Sequence, residues 1–171
     1  MNTINTSSDA IILTNLQVEQ KIRRIAFQIY ESNSNETEII IAGIAENGYL
    51  FAEKIGVLLS EISPLKISLC KVFIDKKNPR TPITTSLTVA EYQNKSLVLI
   101  DDVLNSGTTL IYAVKHFLEV PLKRFKTAVL VNRNHKKYPV KADFKGISLS
   151  TSIKEHVIVS FENAKTVVYL T

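Results

Sequence analysis

Two short, continuous apolar runs constrain the fold of this chain more than any other feature. They span Glu38–Ile44 and residues 96–100, and in each run apolar side chains point to both faces of the expected strand. Strands of that kind are covered on both faces, as in a parallel sheet. A segment with helical spacing of apolar residues follows each run. The alternation predicts an α/β fold in which a mainly parallel central sheet, connected by right-handed crossovers, is flanked by helices on both faces.

The other elements are predicted from the same periodicities. Helices are expected over residues 15–30, 48–62 and 107–118, and Thr14 with Gln17 forms a capping box before the first. Further strands are expected over residues 66–74, 124–131, 155–161 and 166–170. Residues 75–93 are rich in Lys, Thr and Pro and weakly periodic, which predicts a lid or binding loop, or alternatively a loop that contains an irregular strand pair.

Composition predicts a globular protein of one domain covering residues 1–171. The chain is 45% hydrophobic and 22% charged with 5 Gly and 5 Pro, which excludes collagenous, disordered and coiled-coil classes. No apolar run approaches the ~20 residues of a membrane span, and residues 1–9 lack the pattern of a secretory signal. Because Cys70 is the single cysteine, an internal disulfide is impossible, and we expect a cytoplasmic protein without a membrane partner. The net charge of +5 is compatible with phosphorylated ligands or nucleic acid and requires neither.

The segment after the strand at 96–100 carries the candidate chemistry. Asp101 and Asp102 come first, where α/β sheets bind ligands. A loop that opens the next helix follows: Val103, Leu104, Asn105, Ser106, Gly107, Thr108 and Thr109. Backbone N–H groups, a glycine and hydroxyls at a helix N-terminus suit a phosphate, whereas two carboxylates repel phosphate and suit the hydroxyls of a ribose. The pattern predicts a phosphoribosyl site, and a plain helix start is the alternative.

Residues 98–109 resemble the signature for phosphoribosyl pyrophosphate (PRPP) of the type I phosphoribosyltransferases. Residues 128–152, together with 12–14 and 22–26, are similar to the bacterial pyrimidine operon attenuators. Members of that family bind pyr mRNA in response to uridine nucleotides, and many have uracil phosphoribosyltransferase activity. The resemblance covers most of the chain. It implies the type I phosphoribosyltransferase fold with a flexible lid loop at 75–93, and a homo-oligomer, since dimers are typical of the family.

The resemblance also implies a reaction and a set of roles. Uracil and PRPP would give UMP and pyrophosphate through an oxocarbenium-like transition state, which the protein stabilises mainly by positioning. Asp101 and Asp102 would be the catalytic residues that hold the ribose diol, and the loop 103–109 would hold the 5′-phosphate. Mg²⁺ carried by PRPP, with no direct protein ligand, would offset the pyrophosphate charge. The base would lie against Asp143, Phe144, Lys145 and Gly146, with Phe144 either a stacking ring or a core aromatic.

The chain departs from the family pattern where pyrophosphate binds. The pyrophosphate loop is Ala45, Glu46, Asn47 and Gly48, with a Glu where the family has Arg. A carboxylate there is unfavourable unless Mg²⁺ intervenes or the side chain turns away. In the next segment of the family pattern, Lys71 stands in place of an Arg, and of two acidic residues only Asp75 is present. Three cations follow, which either supply positive charge to the pyrophosphate or form a solvated face: Lys76, Lys77 and Arg80. These changes weaken the expectation of fast catalysis more than that of PRPP or nucleotide binding.

RNA binding is the second functional hypothesis. Basic residues form a stretch and are joined by others of the first helix: Arg133, His135, Lys136, Lys137, Lys141 and Lys145, with Lys21, Arg23 and Arg24. The resemblance places Arg23, His135, Lys136 and Lys141 at or near RNA-contact positions, although Asn132 and Asn134 replace the family's Asp and Gly. A merely solubilising surface is the alternative. The chain is thus predicted to be either a uracil phosphoribosyltransferase or an RNA-binding regulator whose pocket senses PRPP or uridine nucleotides with weak or no catalysis.

Overall fold

The computed structural model describes residues 9–171, in which nine strands and four helices follow one another in the chain. They are β1 (Ala10–Leu13), α1 (Asn15–Ser32), β2 (Glu38–Ile44), α2 (Asn47–Ile62), β3 (Lys66–Phe73), β4 (Thr84–Thr85), α3 (Val89–Tyr92), β5 (Ser96–Leu104), α4 (Thr108–Phe117), β6 (Arg124–Asn132), β7 (Phe144–Ser148), β8 (Val157–Ser160) and β9 (Val167–Leu170). The expectation about a secretory signal falls mostly on residues 1–8, outside the described residues. No helix in the described part of the chain is long and apolar enough to cross a bilayer.

Six strands form the central sheet in the order β4-β3-β2-β5-β6-β7. All neighbouring pairs are parallel except β3 with β4. The prediction of a mainly parallel α/β sheet is therefore confirmed. Because β2, β3, β5 and β6 run in the same direction, their carboxyl ends meet at one edge, with Gly43 opposite Ile100 and Leu104 opposite Asn132. This edge is where the loops that follow the strands come together.

Each face of the sheet carries its own apolar core. Residues of α1 and α2, such as Ile25 and Phe51, pack with Val98 and Ile100 of β5 on one face. Leu110 and Phe117 of α4 belong to the second core, which also contains Leu97. The helices therefore flank both faces, as predicted. The capping box is confirmed as well: the Thr14 hydroxyl accepts a hydrogen bond from the Gln17 amide at 3.3 Å, and the Gln17 side chain accepts one from the Thr14 amide at 2.9 Å.

The second sheet has three antiparallel strands in the order β1-β9-β8. The two last strands were expected from their patterns, but they do not extend the central sheet, and β1 and β7 were not expected at all. Strand β5 runs to Leu104, so Asp101 and Asp102 lie within it rather than after it. Within residues 75–93, β4 pairs with the end of β3 and α3 follows. Of the two expectations for this segment, the structure agrees with a loop that contains a short strand.

Candidate functional site

A cavity of about 220 Å³ opens at the carboxyl end of β5. Its walls are residues 101–110 together with Lys76 and Val157. The structure thus brings together all nine residues that the sequence assigned to the diol and the phosphate, Asp101 through Thr109. Of the three cations expected in the lid, Lys76 reaches this cavity. Val157 comes from β8 of the second sheet, and no signal in the sequence pointed to it.

The loop before α4 has the geometry of an anion cradle. Gly107 has a φ of +85°, in the left-handed region, and stands at the N-cap of α4. The first N–H groups of a helix have no acceptor within it, and those of α4 begin at Thr108, on the cavity wall. The hydroxyls of Ser106 and Thr108 form a hydrogen bond with each other at 2.9 Å, and the Thr108 amide donates to Ser106 Oγ at 3.3 Å, so one hydroxyl hydrogen of the two is left for a ligand. Helix N-termini of this kind bind phosphate.

The two carboxylates are held differently. Asp101 is buried, and its Oδ1 accepts a hydrogen bond from the Asp102 amide at 2.9 Å. Asp102 accepts from the Val103 amide at 2.9 Å and from the Asn47 side chain at 3.3 Å. Burial, and after it the negative charge of Asp102, raises the pKa of Asp101 well above its ordinary value, while Lys76 acts in the opposite direction. The pair therefore offers carboxyl oxygens to neighbouring hydroxyls at the cavity wall.

The residues expected to bind pyrophosphate lie beside this pair. Ala45, Glu46, Asn47 and Gly48 follow β2, and a Cβ on Gly48 would stand only 2.9 Å from Asp101 Oδ1. The Glu46 carboxylate meets Lys71, with Oε2 and Nζ 3.2 Å apart. The Lys71 ammonium also lies 5.3 Å from the ring centre of Tyr49 and 5.6 Å from that of Phe73. The carboxylate that replaces the family's Arg is thus paired with a cation of this chain.

The four residues expected to bind the base do not reach the cavity. Phe144 begins β7 opposite Ala128, in the middle of β6, and packs against the core beneath α1. Asp143 accepts hydrogen bonds from the amide and hydroxyl of Thr127. The carbonyls of Lys145 and Gly146 accept from Arg24. Pairing with β6 fixes the segment in the sheet, and Phe144 is half-buried against the core; its role in base binding stays a prediction.

The residues expected at an RNA surface are dispersed. Arg23 lies on α1 with its guanidinium 5.2 Å from the ring centre of Phe27. His135 Nε2 lies 2.5 Å from the carbonyl of Thr151, whereas Lys136 and Lys141 are exposed. Arg133, which the sequence grouped with these cations, is only 7% exposed and is not a surface charge. Within the part of the chain that the structure describes, no group of three or more His, Cys, Asp or Glu side chains is placed to hold a metal ion.

Comparisons with known proteins identify the family to which this chain is similar. Residues 8–163 match the family model of the phosphoribosyl transferase domain. The bifunctional protein PyrR of Streptococcus mutans is 31% identical over 155 residues, 87% of this chain and 86% of that protein. That of Streptococcus suis is 31% identical over 154 residues, 86% of this chain and 87% of its own length.

Solved structures share the fold. A Trypanosoma cruzi hypoxanthine phosphoribosyltransferase complexed with the product IMP is similar with a TM-score of 0.80 and 13% identity, covering 100% of this chain and 88% of that one. A Bacillus anthracis hypoxanthine-guanine phosphoribosyltransferase has a TM-score of 0.69 and 17% identity, covering 83% of each chain. At such identities the likeness is one of fold.

Proposed function

Because this chain belongs to the phosphoribosyl transferase domain family, in its PyrR branch, we propose that it transfers the phosphoribosyl group of PRPP to uracil and so forms UMP. One observation carries the proposal. An acidic pair, of which Asp101 is buried and Asp102 partly buried, and a hydroxyl-lined helix N-terminus face a single cavity of about 220 Å³. The first suits a ribose diol and the second suits a 5′-phosphate, so that both ends of a pentose phosphate find partners of matching chemistry.

In the proposed reaction a bond forms between a uracil nitrogen and C1′ of the ribose, and the bond from C1′ to the pyrophosphate oxygen breaks. Pyrophosphate leaves with the bonding electrons, and the proton of the uracil nitrogen is released. The ribose ring becomes positively charged in between. We propose that Asp101 and Asp102, which line the cavity, hold the diol and stabilise that charge, and that the loop 103–109 holds the phosphate end.

The pyrophosphate is proposed to lie near the loop 45–48. There the Lys71 ammonium, now paired with Glu46 at 3.2 Å, supplies positive charge. Mg²⁺ is proposed to arrive on PRPP, where it offsets the charge of the leaving group. Carboxylates and hydroxyls, which the cavity wall provides in Asp101, Asp102 and Ser106, are the oxygen groups that this ion prefers.

The choice of uracil rests on the PyrR relatives, because the solved neighbours that act on hypoxanthine and guanine are only 13–18% identical. The test is incubation with PRPP and Mg²⁺ and with uracil, hypoxanthine or guanine in turn, followed by assay of pyrophosphate. Release with uracil alone supports the proposal. Release with a purine overturns the assignment of the base, and no release with any base favours the regulator described below.

Substitution of the acidic pair tests the site itself. Asp102→Asn should reduce PRPP affinity, measured by calorimetry, with little effect on folding, because Asp102 is only partly buried. Asp143→Asn is the matched control, since Asp143 lies outside the cavity and contacts Thr127 instead. Equal affinities of the wild type and Asp102→Asn would contradict the assignment of the diol.

RNA binding is the second candidate, favoured by one contact. The amides of Lys137 and Tyr138 donate hydrogen bonds to the carbonyl of Ser106, at 2.7 and 3.3 Å. Ser106 belongs to the loop of residues 103–109, called the phosphate loop below. The exposed basic segment around Lys136 and Lys141 therefore contacts the cavity wall through Ser106. A ligand in the cavity can thereby change the conformation of the proposed RNA-binding segment. The homo-oligomeric state and the cytoplasmic location stay predictions of the sequence.

The RNA hypothesis is tested with a pyr leader hairpin. Lys136→Ala and Lys141→Ala should each weaken binding and lower the slope of log K against log salt by about 0.7–0.9, if each lysine contacts one phosphate. Lys66→Ala is the control, because Lys66 is exposed at the start of β3, away from the carboxyl edge. Unchanged affinity and slope in both variants would contradict RNA binding by this segment.

A further inference from the structure

Arg133 is the most buried cation of the basic stretch and contacts three parts of the chain. It follows β6 directly, and its amide donates a hydrogen bond to the carbonyl of Leu104 at 3.0 Å. Its side chain is directed inward, so that the residue is 7% exposed. Every group that accepts from its guanidinium is a neutral oxygen, as the following contacts show.

One arm of the guanidinium holds the phosphate loop. Nη1 donates to the side-chain oxygen of Asn105 at 3.0 Å. Asn105 lies in the stretch between the acidic pair and Gly107, on the cavity wall. The position of this loop is therefore set partly by a residue that does not itself line the cavity.

The rest of the guanidinium holds the segment that leads into β8. Nε and Nη2 donate to the Thr151 hydroxyl at 3.0 and 2.9 Å. Nη2 also donates to the carbonyls of Ser152 and Glu155 at 3.3 and 2.6 Å. Two residues beyond Glu155 the chain reaches Val157, which also lines the cavity. Arg133 thus joins two segments of the cavity wall.

No carboxylate forms an ion pair with this cation among the described residues. The ion pairs there are Lys71 with Glu46, Lys95 with Glu38, and Lys123 with Glu36, and none of them includes Arg133. Glu155 is a weaker electrostatic partner: hydrogen bonds from Ser152 lower its pKa most, and the charge of Arg133 lowers it further. A buried charge without a close counter-ion is costly. An anion bound in the loop that Arg133 holds would reduce that cost, because charges interact more strongly where water is excluded.

We propose that Arg133 is a positioning residue for the phosphoribosyl group: through Asn105 it holds the phosphate loop ready for the 5′-phosphate, and through Thr151 it holds the wall that carries Val157. This inference rests on the proposed function, since it concerns the same ligand. Arginine suits the role because its planar fork donates in several fixed directions at once, which an ammonium does not.

The experiment measures PRPP affinity by calorimetry and the midpoint of thermal unfolding for four variants beside the wild type. Arg133→Gln removes the positive charge and most of the donors of the guanidinium, including the hydrogen bond to Asn105. It should weaken PRPP binding about tenfold or more, which corresponds to the usual energy of one hydrogen bond made by a charged group. Arg133→Lys keeps the charge and should recover part of the affinity. In steady-state assays the KM for PRPP should rise more than kcat falls.

Two further variants separate positioning from folding. Arg124→Gln is the matched control at the opposite end of β6, where Arg124 contacts the carbonyl of Ser32, and it should leave PRPP affinity unchanged. Thr151→Val removes an anchor of Arg133 but leaves the contact with Asn105, so it should cost less affinity than Arg133→Gln for the same loss of thermal stability. If Arg133→Gln does not fold, Arg133→Lys and Thr151→Val provide the same comparison.

The outcomes are distinguishable. A larger loss of affinity in the Arg133 variants than their loss of stability explains supports the inference. Loss of affinity that follows the unfolding midpoint along the whole series, or unchanged affinity in Arg133→Gln, overturns it while leaving the proposed function intact. Failure of the wild-type chain to bind PRPP overturns the proposed function and this inference together.

Discussion

Replacement of Gly107 by Ala tests whether the shape of the phosphate loop governs ligand binding. Gly107 has a φ of +85°, which side chains disfavour. A Cβ built at this position would stand 2.7 Å from Cγ1 of Val140, where carbon atoms normally keep about 3.5–4.0 Å. The substitution therefore strains the backbone and also forces the loop away from the segment that contains Val140.

Both effects can be given a magnitude. A left-handed conformation costs about 1–2 kcal/mol for an ordinary residue, and an extra methyl in a packed place costs about 1–3 kcal/mol. The free energy of unfolding should thus fall by about 2–5 kcal/mol. At about 2–4 °C per kcal/mol for a chain of this size, the midpoint of thermal unfolding should fall by at least about 4 °C.

The assay is urea unfolding combined with PRPP calorimetry on Gly107→Ala, Val140→Ala and the double variant. Val140→Ala removes the atom that the new Cβ meets but not the backbone strain, so the double variant should lose less free energy of unfolding than the two single variants summed. Gly56→Ala is the control for a glycine-to-alanine change, because Gly56 lies in the middle of α2 and does not line the cavity. It should leave PRPP affinity unchanged.

Two results would refute this reasoning. Additivity of the two single variants within about 0.5 kcal/mol would show that the contact with Val140 does not matter. A folded Gly107→Ala protein that binds PRPP as tightly as the wild type would show that the loop does not need this conformation to hold the phosphate.

Four other substitutions have definite expected outcomes. Burial, and after it the charge of Asp102, raises the pKa of Asp101. The stability that protonated Asp101 contributes is therefore fully present below the unfolded pKa of about 3.9 and is lost as pH rises through the raised folded value. The Tm of Asp101→Asn should accordingly rise relative to that of the wild type as pH increases above about 3.9, and parallel Tm profiles would contradict this. Glu46→Gln, which frees Lys71 from a partner that is itself 73% exposed, should raise pyrophosphate affinity by about twofold to fivefold in calorimetry, whereas Lys71→Met should lower it. Phe144→Ala should reduce the free energy of urea unfolding by about 2–3 kcal/mol, less than the ~3–5 kcal/mol of a fully buried phenylalanine, because Phe144 is half-buried. Uracil affinity should be unchanged, and a loss of that affinity without a loss of stability would show that Phe144 stacks on the base.

The parts of the fold that the sequence predicted are those encoded locally. The strand Glu38–Ile44 has the predicted bounds because a continuous apolar run ends where polar residues begin. The residues 101–109 are contiguous, so a single strand end and helix start suffice to bring them into one cavity. Chemistry carried by one short segment depends little on the rest of the chain, which is why this part of the candidate site could be predicted.

The second sheet depends on pairing between distant parts of the chain. Residues of β1 pair with those of β9, as Ala10 does with Leu170. Four-residue strands with apolar side chains do not specify a partner, so the patterns at 155–161 and 166–170 predicted strands but not their sheet. For the same reason Val157 could not be predicted at the cavity. The pairing of Phe144 with Ala128 of β6 was not predicted either, because no local pattern marks β7.

The basic stretch shows why charge patterning alone could not separate a buried cation from exposed ones. Arg133 and Lys136 are three residues apart and both positively charged, yet the first is buried and the second exposed. The difference arises from β6, which brings Arg133 beside the carbonyl of Leu104 and within reach of acceptors from two distant loops. Beyond the strand the backbone turns back to the phosphate loop, where the Lys137 amide donates to Ser106. Residues 133–137 therefore contact the phosphate loop at two neighbouring residues, Asn105 and Ser106. A ligand that orders this loop should also order the exposed lysines. PRPP or a uridine nucleotide should then change RNA affinity if both proposed activities are present.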